Sequence, residues 1–142
     1  MTKDLAVLEA IETTLANAGV SGGRIFQARG DRLAEGQLPA VDLWLDDGRH
    51  EDTGIPTLTH ETLIQIDVAA KEADGKSCLQ NAEPVRAAIH AALMADRSLG
   101  GLVANIRPER TNRIYDDRGG SFVTVQCFYA VKFHTRASSL AS

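Results

Sequence analysis

The chain has 142 residues, 44% hydrophobic and 24% charged, which favours one globular domain and excludes collagen-like and disordered classes. Its formal net charge of −4 argues against a dedicated nucleic-acid binder, although a local basic patch stays open. No apolar run approaches the roughly 20 residues that cross a bilayer, and the acidic N-terminal segment is a poor signal peptide, so we expect a soluble protein made in a cytoplasm.

The first predicted element is a helix that Thr2 caps and Gly19 ends. Its apolar stripe recurs at helical spacing: Leu5, Leu8, Ile11 and Leu15. A short strand over 24–28 and a loop over 30–39 follow. Residues 41–46 then alternate apolar and polar side chains, which is the period of a half-buried strand.

The segment 46–60 is polar and lacks periodicity, so we interpret it as a long turn or a mobile excursion and as the first place to look for partner binding. It contains four carboxylates that could hold a divalent cation: Asp46, Asp47, Glu51 and Asp52. Because Arg49 interrupts them and the order of a calcium loop is missing, a solvated turn is favoured.

A strand with Ile64, Ile66 and Val68 on one face comes next. A second helix is predicted to begin near Asn81 or to kink there, because Pro84 removes a helical hydrogen bond. Its buried stripe contains Val85, Ile89, Ala92 and Leu93.

The pair Gly100–Gly101 lies between this helix and a strand, the reverse of the strand–glycine–helix order of a phosphate-binding loop. Carbonyl groups at a helix C-terminus repel phosphate. We therefore expect one glycine to supply the left-handed residue that closes the helix, with Leu99 and Leu102 turned inward.

Two long strands follow, joined by a hairpin turn at 116–120. One face of the last strand is apolar: Val123, Val125, Cys127, Tyr129, Val131 and Phe133. The order of elements predicts an α+β fold, with a mostly antiparallel sheet of about five strands and two main helices packed on one face. We expect a single domain over 1–136 and a frayed tail over 137–142.

The sequence shows no catalytic, cofactor or metal motif, so we expect no enzymatic activity and no cofactor. The four histidines lack zinc-site spacing: His50, His60, His90 and His134. Cys78 and Cys127 are interpreted as buried thiols. A metal-dependent nuclease is the least favoured alternative, and it would need several carboxylates to converge: Asp42, Asp46, Asp67 or Asp116.

Arginines are dense in the region before the last strand, beside Asp116 and Asp117: Arg107, Arg110, Arg113 and Arg118. Such a cluster can grip carboxylates across a protein interface, or phosphates. It can equally be a solvated strand edge, where charge prevents accidental pairing. Both interpretations stay open at this point.

The segment 89–117 followed by 119–133 resembles the tail terminator proteins of long-tailed bacteriophages, the minor tail protein U type. Their D-x-[ST]-L-G-G-L turn and their F-x-V-x-[FY]-like strand are matched by Asp96, Ser98, Leu99, Gly100, Gly101 and Leu102, and by Tyr129, Val131 and Phe133. Upstream, "LPAVDLWLDD" and "HETLIQIDVAAK" also look like strands of that family, so the resemblance spans about 24–134.

The resemblance implies a phage or prophage structural protein, present in the host bacterial cytoplasm during assembly and then in the virion tail. It implies a hexameric ring that caps the tail tube, stops its polymerisation and offers a head-joining surface. The implied partners are further copies of the chain, the tail tube protein and a head-completion or connector protein; DNA passes through without specific binding, and no membrane is involved.

A closed ring needs two different complementary patches on each copy. We expect the arginine cluster to form one patch, and carboxylates of the 46–52 region or of a neighbour's sheet edge to form the other. The interface candidates are Asp46, Asp47, Arg49, His50, Glu51, Asp52, Arg107, Arg110, Arg113, Asp116, Asp117 and Arg118. The alternatives are another tail-tube or head–tail joining protein, and a small ligand-binding or regulatory domain with a pocket between sheet and helices.

Overall fold

The computed structural model describes residues 1–28, 38–52, 56–116 and 121–141. In chain order, its elements are α1 (Lys3–Asn17), a short 3₁₀ segment (Val20–Gly23), β1 (Ile25–Gln27), β2 (Ala40–Asp52), β3 (Thr57–Lys71), α2 (Cys78–Ala95), β4 (Asn105–Tyr115) and β5 (Phe122–Arg136). The fold is α+β, as the sequence predicts.

The five strands form one sheet in the order β1-β2-β3-β5-β4. β1 runs parallel to β2, whereas the other three pairings are antiparallel. The sheet is therefore mixed, and the expectation of a mostly antiparallel sheet needs this correction. The three residues of β1 carry no pattern from which the direction of the strand could be predicted.

Both helices pack on one face of the sheet and share one core with it. Leu43, Ile66 and Cys127 lie side by side across β2, β3 and β5 on this face, and all three are buried. Ile11 of α1 and Ile89 of α2 are fully buried in the same cluster. We call this the helix-side face, and the opposite one the outer face.

The helix ends follow from capping chemistry. Thr2 caps α1 by accepting a hydrogen bond from the Leu5 amide (3.3 Å). α2 begins at Cys78, earlier than the predicted start near Asn81, because Ser77 and Gln80 form a capping box that fixes the first turn. Pro84 lies inside this helix, where it can donate no backbone hydrogen bond.

The prediction of a loop over 46–60 is wrong for residues 46–52 and 57–60, which are strand, while residues 53–55 lie outside the described residues. β2 continues to Asp52 and β3 begins at Thr57, and the two strands pair along this length. β5 supplies the third strand, since its ladder with β3 reaches Arg136. Polar composition here reflects exposure to solvent rather than a lack of strand. We call residues 48–52, 57–62 and 131–136 the distal arm.

The two glycines lie in a turn beyond α2, which itself ends at Ala95. Leu99, Gly100 and Gly101 all have positive φ, so the glycines do not cap the helix directly as expected. The Asp96 carboxylate organises the turn by accepting hydrogen bonds from the Ser98 amide (3.0 Å) and the Gly100 amide (2.7 Å). The hydrogen bond from the Ser98 hydroxyl and those from the two amides lower the pKa of Asp96.

The remaining expectations concern the cysteines, the tail and membranes. Cys78 and Cys127 are buried free thiols. In the tail the Leu140 carbonyl accepts a hydrogen bond from the Lys3 amide (2.7 Å). The limits of the predicted domain, 1–136, and of the predicted frayed tail, 137–142, stay predictions. Among the described residues, no helix combines the length and apolarity that crossing a membrane requires.

Candidate interaction surface

The outer face carries charged side chains from several neighbouring strands. Arg49, Glu61 and Lys132 lie in register across β2, β3 and β5, and Asn105 of β4 continues the row. Because successive strand residues point to opposite faces, all four project away from the helices. This row places cations and an anion within one continuous surface.

Arg107 is the centre of an ion-pair cluster on this face. Its guanidinium donates to Glu61 (2.8 Å) and to Glu109 (2.6 Å), and these side chains are all more than 40% exposed. The hydrogen bond and the charge of Glu61 raise the pKa of Arg107 further. Exposed pairs of this kind contribute little to folding stability, so a partner's charges can replace them at small cost.

Arg110 stacks on Phe128, with its guanidinium carbon 4.1 Å from the ring centroid. Phe128 is buried on the outer face and faces Gln65 of β3, which in turn faces Trp44 of β2. The result is a row of flat side chains across four strands. Among the described residues no carboxylate pairs with Arg110, so its charge is available to a partner.

Arg113 points to the other face of the sheet. A bulge between Pro108 and Arg110 shifts the register of β4 by one residue, so Arg113 lies on the helix side. There it donates two hydrogen bonds to Glu83 of α2 (2.8 and 3.0 Å). The predicted arginine cluster is therefore divided between two faces, and Arg118 lies outside the described residues.

Glu83 is shared by two arginines, since Arg86 also reaches its carboxylate (3.3 Å). Partial burial opposes ionisation of Glu83. The hydrogen bonds and charges of Arg113 and Arg86 outweigh that effect, and the pKa of Glu83 falls below its ordinary value. The network ties α2 to the edge strand β4.

The predicted acidic patch lies along β2, and its charged residues from Asp46 to Asp52 are all exposed. Asp46 and Asp47 occupy an irregularity in the ladder, where the Asp46 carboxylate accepts from the Asp47 amide (2.9 Å). Glu51 faces outward with Arg49, opposite Thr59. The patch is thus a strand edge rather than a loop.

The three other interface candidates have local roles or lie elsewhere. His50 points to the helix side, where its ring lies edge-on to His60. Asp116 follows β4 and accepts hydrogen bonds from the Ser121 hydroxyl (2.8 Å) and the Phe122 amide (3.2 Å). Asp117 lies outside the described residues.

Two of the carboxylates considered for a nuclease are neighbours. Asp42 and Asp67 face each other across β2 and β3 on the outer face. Burial raises the pKa of Asp67, the charge of Asp42 adds to this, and a hydrogen bond from Gln65 (2.9 Å) opposes it. Asp46 and Asp116 lie at other places in the sheet. Within the ranges that the structure covers, no group of three or more His, Cys, Asp or Glu side chains could hold a metal ion.

A cleft of about 620 Å³ lies between α2 and the β4–β5 edge. The sequence indicated a pocket between sheet and helices only through the alternative of a ligand-binding domain, without the residues that line it. The Arg86 guanidinium donates to the Thr111 hydroxyl (3.2 Å) at one side of the cleft. His90 and Tyr129 are hydrogen-bonded at the other, with Nδ1 3.1 Å from the hydroxyl oxygen. Burial raises the pKa of Tyr129 to about 12.

Comparison with known proteins adds little to this geometry. No protein-family model matches the chain, and no curated protein matches it. Among solved structures, a chain from the virion of a native gene transfer agent (GTA) particle matches with 11% identity and a TM-score of 0.47. The match covers 91% of this chain and 95% of that one. These comparisons assign no family.

Proposed function

We propose that the protein is a structural component of a phage-type tail and acts as a tail terminator. In this role copies of the chain form a ring that caps the tail tube, stops its polymerisation and presents a surface for the head. The observation that carries the proposal is the outer face, where four strands present charged side chains opposite the helices. The residues shared with the tail terminator family lie in the Asp96 turn and in β5.

A ring requires two complementary patches on each copy, and we assign them to the two edges of the sheet. Arg107 and Arg110 are the arginines that the outer face presents, whereas Arg113 lies on the helix side and pairs with Glu83. Arg107 pairs with exposed carboxylates on the outer face, and Arg110 stacks on Phe128. The acidic edge of β2, residues 46–52, lies on the opposite side of the sheet from β4. A basic edge and an acidic edge on opposite sides suit head-to-tail contacts between successive copies.

The proposal includes no catalytic step and no cofactor. Six copies, each with a formal charge of −4, would give the ring a strongly acidic balance. Acidic groups lining the opening would let DNA pass without adhering. The partners in this role are the tail tube protein on one side and a connector or head-completion protein on the other.

The test is native mass measurement of the purified chain over a wide concentration range, with negative-stain imaging of every large species. The expected product is a closed ring with six times the 15.3 kDa mass of the chain. Filaments would instead indicate a tube protein. A chain that stays monomeric up to the highest concentration would contradict self-assembly into a ring.

Charge reversal identifies the interface. Arg110→Glu should abolish the ring, because it places a negative charge opposite the acidic patch of the neighbouring copy. The substitution breaks no ion pair among the described residues, so the fold of the single chain should be retained. Lys76→Glu is the matched control, since Lys76 is exposed in the turn before α2 and lies outside both proposed patches. If both variants form rings as the unmodified chain does, the assignment of Arg110 to an interface is wrong.

The cleft beside α2 favours a second candidate, a small ligand-binding domain. Its volume of about 620 Å³ lies in the range of small-molecule sites, and Arg86 and His90 offer polar contacts. A metabolite panel in a thermal-shift assay tests this function. Ala91→Trp, which fills the cleft, should remove any stabilisation that a metabolite gives to the unmodified chain.

A further inference from the structure

His60 is a buried histidine inside the distal arm. It is 1% exposed, lies on the helix-side face of β3, and stacks on Phe133 with centroids 4.8 Å apart. The His50 ring lies edge-on against the His60 imidazole, with the two ring centroids 4.6 Å apart. The Nε2 atom is 2.7 Å from the Thr135 hydroxyl, while Nδ1 is buried and has no hydrogen-bond partner among the described residues.

This environment favours the neutral ring over the charged one. With its proton on Nε2, His60 donates to Thr135 and leaves only a lone pair unpaired on Nδ1. A second proton would create a buried N–H donor without an acceptor, beside a phenyl ring that excludes water. An unsatisfied charged donor in such a site is costly, so the closed arm resists protonation.

The charges around the ring act in the same direction. His50 of β2, His134 of β5 and Lys3 of α1 oppose a positive charge on His60, and Asp4 of α1 favours it. The Asp4 carboxylate already accepts a hydrogen bond from the Thr62 hydroxyl (2.6 Å). Burial is the largest effect, and together these groups lower the pKa of His60 below its ordinary value.

We propose that the distal arm is a proton-sensitive element: it is closed while His60 is neutral, and mild acid opens it by charging His60. Opening separates the arm from the N-terminal turn of α1, where the Lys3 ammonium lies 5.9 Å from the Phe133 ring centroid and donates to the His134 carbonyl (3.0 Å). Solvent then hydrates the imidazolium. The inference rests on the folded chain alone and is independent of the proposed tail function.

The size of the effect follows from proton linkage. The closed arm binds this proton less tightly than the open arm does, so closure is fully stabilised above the ordinary histidine pKa of about 6.5. As the pH falls below that value, the opening equilibrium rises about tenfold per pH unit, until the lowered pKa of the closed state is reached. A single proton accounts for this slope.

Hydrogen–deuterium exchange of the full chain between about pH 8 and pH 5, corrected for intrinsic exchange rates, measures the opening. Amides of 48–52, 57–62 and 131–136 should show an opening equilibrium that rises up to about tenfold per pH unit in acid, while amides of α2 keep their protection. His60→Phe retains an aromatic ring on Phe133 and should lose the pH dependence. His134→Gln is the control, because it removes an exposed histidine of the same arm and should keep the dependence.

Two results would overturn the proposal. One is opening of the arm that does not change with pH in the unmodified chain. The other is the same acid response in His60→Phe. If that variant does not fold, an NMR titration of the His60 ring in the unmodified chain decides: an ordinary histidine pKa of about 6.5 in a fully protected arm refutes it.

Discussion

Adjacent residues of β3 give a direct test of the two-faced sheet. Ile64 is fully buried on the helix side, opposite Leu45 and Tyr129, whereas Leu63 is partly buried on the outer face, opposite Ala130. Ile64→Ala removes three carbons from the core, which costs about 2.4 kcal/mol in transfer and ~3–4 kcal/mol with the cavity. Leu63→Ala removes as many carbons from a half-covered site and should cost about 1 kcal/mol.

Urea denaturation at low protein concentration measures both values. With a slope of about 2 kcal/mol per molar urea, Ile64→Ala should lower the midpoint by ~1.5–2 M and Leu63→Ala by ~0.5 M. Equal losses in the two variants would refute the assignment of faces. At concentrations where rings form, Leu63→Ala should weaken assembly more than it weakens folding, because the outer face is the proposed contact.

Three further predictions concern stability and pH. Asp67→Asn should stabilise the chain at pH 7. Because the pKa of Asp67 is raised in the folded chain, protonated Asp67 stabilises folding below the ordinary carboxyl range, and this stabilisation is lost as the pH rises through the folded pKa. Urea midpoints at about pH 4 and pH 7 show whether the gain is confined to the higher pH. Glu83→Gln should lower the free energy of unfolding by less than about 1 kcal/mol at pH 7. The difference from the unmodified chain should vanish as the pH falls through the lowered pKa of folded Glu83, so an equal loss of stability at about pH 3 would contradict the ion-pair network. Ser77→Ala should cost about 1 kcal/mol by removing the α2 cap, with a thermal midpoint lowered by a few degrees; an unchanged midpoint would show that the capping box is dispensable.

The sequence predicted the features that depend on residues close to one another along the chain, such as strand alternation and helix capping. The period-two alternation of β5 assigns Val125 and Val131 to the core, as the structure confirms. Thr2 and Gly19 bound α1 because capping is a local interaction. Both helices lie on one face because their apolar stripes have one sheet to cover.

The features that sequence reasoning missed depend on distant partners. Residues 48–52 and 57–60 form strands because β5 reaches Arg136 and offers a third strand beside them, and no local pattern reports that partner. His60 stands at the start of a period-two run through Ile64 to Val68, so extending that alternation back by two steps would have placed it inside. The arginines were grouped by proximity in sequence, whereas a strand separates neighbours onto opposite faces.

The bulge at Pro108–Arg110 determines which chemistry each side of β4 presents. Glu109 is the unpaired residue of the bulge, so the alternation that places Arg107 on the outer face is reversed for the residues after it. Deletion of Glu109 alone would remove the bulge and leave Arg113 opposite Val125 on the helix side, whereas pairing of the same strand without a bulge would turn Arg113 away from α2. One extra residue therefore decides which side chains of β4 reach the exterior, with every other residue unchanged.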